Sequence, residues 1–131
     1  EDEDDDDVET SSNPELTGRH LEVEKQIVEQ LRDRYTYDWL SIALSIWSDY
    51  ATFGKPQVRS IAVYVAAVEY ITARMISEKV TQGDLAKRYG TTTASISQTS
   101  RKITELLEID PKDRIDLSDE ILFEIAFGDD D

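Results

Sequence analysis

Eight polar side chains set close together are the first chemistry this sequence offers: Lys87, Arg88, Thr92, Thr93, Ser95, Gln98, Arg101 and Lys102. The four cations can neutralise phosphates. Gln98 carries the paired donor and acceptor that read adenine. The hydroxyls of Thr92, Thr93 and Ser95 can bond base edges or phosphate oxygens. Within residues 80–103 the only acid against these cations is Asp84. DNA is the partner that such a set implies. Other chemistry is scarce. The absence of cysteine excludes disulfides, zinc–thiolate centres and cysteine nucleophiles. His20 is the only histidine and has no obvious partner in the sequence. No nucleophile–base pair, phosphate-binding glycine loop or metal-ligand spacing appears. The expectation is a non-enzyme with no cofactor, no metal and no small-molecule substrate.

The stretch Val80–Leu107 must hold these residues, and it reads as a short helix, a tight turn and a second helix. Thr81 is a good N-cap, with Asp84 at the capping-box position. Leu85, Ala86 and Tyr89 give the first helix an inward face. Gly90 suits a left-handed stop. Thr91 to Thr93 offer caps for the next helix, which places Ile96, Ile103 and Leu107 at helical spacing. This is the pattern of a helix-turn-helix, whose second helix enters the major groove N-terminus first.

Three helices are expected before it. The first spans Arg19 to about Tyr35, with Leu21, Ile27, Val28, Leu31 and Tyr35 inward and Glu22, Glu24, Lys25 and Glu29 on a solvated face. The second runs from about Trp39 to Phe53, capped by Asp38 and stopped by Gly54. Its aromatic residues are core, with one or two free to line a peptide groove. The third runs from Val58 to about Met75, with Pro56 at its start. It is apolar nearly all round, as a central helix with several neighbours must be. Ser77 to Lys79 turn the chain into the motif.

The formal net charge of −15 looks wrong for a DNA binder until it is divided along the chain. Residues 1–16 carry nine acids and no base, and residues 113–131 carry eight acids against Arg114. The remaining 17–112 is close to neutral. Residues 1–16 lack periodicity and apolar content, so disorder is expected. They read as a solvated tail or, more sharply, as a segment that shields the basic island by imitating DNA phosphates. At the other end Ser118 can cap a short sixth helix with Leu117, Ile121, Leu122, Ile125 and Ala126 on one side, an apolar edge through which a homodimer could form. No apolar run is long enough to span a bilayer, and no secretory signal is visible, so a cytoplasmic location is the default. The chain begins with Glu1 and its only methionine is Met75, which reads as a piece of a longer protein.

Residues 39–107 resemble one cyclin-like repeat of transcription factor IIB. The resemblance is carried by Lys55 to Ala62 (KPQVRSIA), Ala66 to Arg74 (AAVEYITAR), Thr81 to Ala86 (TQGDLA), Tyr89-Gly90-Thr91, Ser95-Ile96-Ser97 and Arg101. It implies an all-α, five-helix cyclin-like bundle over residues 17–112, ending in the helix-turn-helix at 80–107. It also implies a DNA-binding, transcription-factor-like role. Transcription factor IIB has two repeats and a zinc ribbon, whereas this chain has one repeat and no cysteine. Contacts to TATA-binding protein or polymerase therefore do not carry over. The cyclin fold also serves as a non-enzymatic protein-interaction module, with a groove between helices in place of DNA binding.

Overall fold

The computed structural model describes residues 16, 18–76 and 79–110. They form five helices: α1 Gly18–Leu31, α2 Tyr37–Gly54, α3 Ile61–Ile76, α4 Gln82–Tyr89 and α5 Thr93–Leu107. No strand occurs among the described residues, and the all-α class expected from the periodicity is what the chain adopts. Residues 1–15, residues 77–78 of the expected turn and the 113–131 segment for which a sixth helix is expected lie outside the described residues.

Helix α3 is the hub and packs against each of the other four. Val65 to Glu69 and Ile71 to Ala73 are all buried, so every side of its middle turns faces protein. This is the central helix that its apolar circumference predicts. Trp39 and Trp47 from α2 and Ile27 and Leu31 from α1 fill the larger of two apolar clusters. Ala66, Leu85 and Ile96 form a smaller one where α4 and α5 close on α3.

The helix limits differ from expectation in instructive ways. α1 stops at Leu31, because the Arg34 and Tyr35 amides both turn back to the Leu31 carbonyl. Tyr35 is thereby freed to lie flat on Trp39, ring centroids 3.6 Å apart. On α1 itself Val28 is only half-buried, whereas Val23 and Glu24 are buried. Thr36, not Asp38, caps α2, accepting from the Trp39 amide at 3.2 Å. Gly54 does not stop that helix. It is its last residue, and a Cβ there would sit 2.9 Å from Leu106 Cδ2. The Leu106 side chain would have to shift to admit a Cβ, and Lys55 takes the left-handed position at φ 46°. α3 begins at Ile61, three residues later than Val58, because the Ser60 hydroxyl accepts from the Val63 amide and caps it. Pro56 and the buried Val58 thus belong to the α2–α3 loop. Leu16 is buried at 4% exposure, so the N-terminal segment joins the core there. No described helix is long and apolar enough to cross a membrane.

Candidate nucleic-acid interface

The α4–turn–α5 unit is built from local signals that all act as their chemistry dictates. Thr81 Oγ1 accepts from the Asp84 amide at 3.0 Å, closing the α4 N-terminus. At the other end Gly90 stands at φ 67° and the Thr91 amide reaches back to the Ala86 carbonyl at 2.9 Å. That bond is the long closure of a Schellman turn. Thr92 is the cap among the three threonines, with its Oγ1 3.1 Å from the Ser95 amide. Leu85, Ile96 and Ile103 are fully buried and pin both helices to α3.

This scaffold sorts the eight predicted residues into groups. Ser95, Gln98 and Lys102 share one stripe of α5, together with Thr99, and line a groove of about 520 Å³. The opposite wall comes from the α2–α3 loop and the start of α3: Pro56, Gln57, Arg59, Ser60, Val63 and Tyr64. Tyr50 of α2 closes the end. The lining holds two cations, Arg59 and Lys102, and no carboxylate. Neither cation has a carboxylate partner among the described residues. Arg101 is exposed but lies about 100° round the helix from Lys102 and outside the groove. Thr93 is exposed in the first turn, and the Thr92 hydroxyl is already engaged with Ser95. Lys87 is exposed on α4.

Arg88 has a different task. Its guanidinium lies 2.7 Å from Glu69 Oε2, and Glu69 is completely buried on α3. Tyr35 donates to the same oxygen at 2.6 Å, and Tyr89 donates to Oε1 at 2.6 Å. One carboxylate thus ties the α1–α2 turn, α3 and α4 together and sets the position of the helix that precedes α5. Burial, then the hydrogen bond and charge of Glu69, raise the Tyr35 and Tyr89 hydroxyls well above the ordinary tyrosine value. Burial alone would lower the Arg88 guanidinium, but Glu69 overrides it and raises it.

His20 also has a partner the sequence did not show. Its Nε2 donates to the Pro56 carbonyl oxygen at 2.7 Å, while Trp47 Nε1 donates to the His20 carbonyl at 2.9 Å. The histidine is a strut between α1, α2 and the groove loop. Of the α2 aromatics expected in the core, Trp39 and Trp47 are buried, Tyr50 closes the groove, and Phe53 is exposed outside it.

Gln57, Arg59 and Ser60 were not among the expected site residues. Their signal was present in the two cations, Lys55 and Arg59, set just before an apolar helix. Glu69 was missed as well, although an acid in a helix apolar all round must be buried and therefore paired. No protein-family model, curated protein or solved structure matches the chain.

Proposed function

We propose that this protein binds duplex DNA without enzymatic activity, as a transcription-factor-like module built on one cyclin-like repeat similar to that of transcription factor IIB. The single observation that carries the reading is the groove beside α5. In a chain of net charge −15, its lining holds Arg59 and Lys102 and no acid. A cationic, acid-free surface in so acidic a protein is the electrostatic footprint of a polyanion site. The exposed N-terminal half of α5 enters the major groove, Gln98 and Ser95 meet base edges, and Lys102, Arg101 and Lys87 neutralise phosphates. The order of five helices around a buried third supports the cyclin-like reading. So few cations give weak binding from one copy, so a second copy or a further protein completes the site.

A second reading is favoured by one further observation. A groove of about 420 Å³ between α1, α3 and α4 has an apolar floor of Ile61, Ala62 and Val65 and an amide rim of Gln26 and Gln30. That is the character of a helix-in-groove protein-interaction site.

Titration of the full chain with short duplexes at about 50 to 200 mM salt tests the DNA reading. The expected result is salt-sensitive binding that drops in the double variant Gln98→Ala/Lys102→Ala. Absence of binding at the lowest salt, both by the full chain and by a form whose N-terminal acids are neutralised, would overturn it. Amide shifts confined to Gln26, Gln30 and Ala62 on adding a partner would favour the second reading.

A further inference from the structure

The groove beside α5 holds donors that the DNA reading leaves unused. Tyr50, only 7% exposed, closes its end, and Tyr64 lines it as well. Neither hydroxyl has a hydrogen-bond partner among the described residues, and neither is sealed from solvent. The half-buried Tyr35 and Tyr89 differ, since each hydroxyl finds Glu69 at 2.6 Å. A hydroxyl held so deep without an acceptor has lost most of its water and gained nothing in return. Burial raises both groove tyrosines above the ordinary value, and Tyr64 pushes Tyr50 further, so both are donors at neutral pH.

The rest of the lining indicates which acceptor fits. Arg59 and Lys102 stand in the walls with no carboxylate among the lining residues. Helix α3 begins at the same wall. Ser60 caps it, its first turn holds no acid, and the Ile61 and Ala62 amides have no acceptor among the described residues. The positive end of a 16-residue helix therefore meets the groove. Two cations, two hydroxyl donors and a helix N-terminus suit an anion with several acceptor oxygens. A phosphate has that chemistry, with charge for the cations and separate oxygens for the separate donors. At about 520 Å³ the groove also has room for a nucleotide around the phosphate.

We propose that the groove is a phosphate site, in which Arg59 and Lys102 supply the opposite charge and the Tyr50 and Tyr64 hydroxyls donate to the phosphate oxygens beside the N-terminus of α3. The phosphate is that of a nucleotide, free or within a strand. Binding of the free nucleotide stands on the groove's own donors. Seating a strand's phosphate there, so that Ser95 and Gln98 meet base edges in one register, rests on the function proposed above.

The test titrates the full chain at low salt with inorganic phosphate, a deoxynucleoside 5′-monophosphate, the unphosphorylated deoxynucleoside and a short duplex. The monophosphate should shift the amides of Gln57, Arg59, Ser60 and Lys102 saturably, more tightly than inorganic phosphate, and leave Lys87 and Arg101 unmoved. The nucleoside should shift none of them. Tyr50→Phe keeps the ring and removes one donor. It should weaken monophosphate binding roughly tenfold, the worth of a hydrogen bond to a charged group, with the urea midpoint unchanged because the hydroxyl has no protein partner to lose. Arg59→Ala/Lys102→Ala should abolish the shifts. A duplex that produces the same shifts, and loses affinity in Tyr50→Phe, would place a strand's phosphate in the site. Saturable monophosphate binding without duplex binding would sustain the site and remove the DNA reading. Duplex binding unchanged in Tyr50→Phe, with no monophosphate shifts, would do the reverse. Shifts spread equally over Lys87 and Arg101, nucleoside shifts as large as those of the monophosphate, or monophosphate binding unchanged in Tyr50→Phe would each overturn the proposal.

Discussion

Two polar sites share helix α3, and they solve opposite problems. Around Glu69, two hydroxyls and a guanidinium close on one buried carboxylate within 2.6 to 2.7 Å. About 140° round the helix, Tyr64 opens onto a groove whose cations and amides face solvent with no acid opposite them. Both sites contain an arginine, tyrosines and neighbouring polar groups. In the first every charge finds its counterpart inside the protein, so its energy is spent on architecture. In the second no acid stands in the walls, and the cations face solvent. Matching of donors to acceptors, more than residue type, separates structure from interface here.

The comparison is sharpest under removal of one group from each site. Glu69→Ala removes the buried acceptor shared by two half-buried hydroxyls and a guanidinium that water can still reach, and should cost about 2–4 kcal/mol, read from urea midpoints at constant slope. Gln98→Ala/Lys102→Ala touches only exposed side chains and should stay within about 0.5 kcal/mol of the parent. Equal costs in the two variants would break the distinction.

Arginine and lysine from the same predicted set provide the next contrast. Arg88→Ala should lower stability by about 1–3 kcal/mol, the worth of a charge-assisted bond into a buried site, while leaving the salt slope of DNA binding unchanged. Lys102→Ala should leave stability unaltered and reduce that slope by about one. A salt slope that falls with Arg88 would mean that its guanidinium serves both Glu69 and a phosphate.

Alkaline titration tests the closed site separately. Tyr35 and Tyr89 are held above the ordinary tyrosine value, so the fold favours their protonated forms. Their contribution is complete below a pH of about 10 and is lost as pH rises further, because the unfolded chain ionises first. Tyr50 and Tyr64 are also raised by burial and share the effect. Tyr35→Phe/Tyr89→Phe removes two hydroxyl donors from the buried Glu69 carboxylate, so it should lose about 1–3 kcal/mol at neutral pH and show a shallower decline above pH 10 in denaturant melts. A decline as steep as the parent's would place the alkaline sensitivity in Tyr50 and Tyr64 instead.

Much of this arrangement is legible in the residues. Thr81, Gly90 and the Ile96–Ile103 spacing specify α4, the turn and α5 because caps, left-handed positions and helical periodicity are local properties. The central place of α3 follows as directly from its apolar circumference. What was not legible depended on partners distant in sequence. Ser95 and Ser100 look alike on α5, yet Ser95 lines the groove while Ser100 is buried with its hydroxyl unpartnered among the described residues. Arg88 looked like a phosphate contact because Glu69, nineteen positions away, lies in another helix. Asp38 was the better N-cap by propensity, but Thr36 won because the turn after α1 delivers its hydroxyl to the Trp39 amide. Arg59 escaped notice because only the approach of α5 to the α2–α3 loop gives it a groove to line.

The smallest expected effect tests both kinds of site within one residue type of change. Among the described residues Lys55 and Glu108 are the two non-glycine residues at positive φ, 46° and 56°, each ending a helix. A side chain in that conformation costs roughly 1 kcal/mol that glycine avoids, partly offset by the greater freedom of glycine in the unfolded chain. Glu108→Gly should therefore raise stability by about 0.5–1 kcal/mol. Lys55→Gly relieves the same strain but gives up the Nζ bond to the Thr52 carbonyl at 3.1 Å, so its gain should be smaller. It also removes a cation from the loop that carries Arg59. Weaker polyanion binding with unchanged or improved stability would then extend the open site to the end of α2. Unchanged binding would confine it to the groove walls and leave Lys55 as a helix terminator alone.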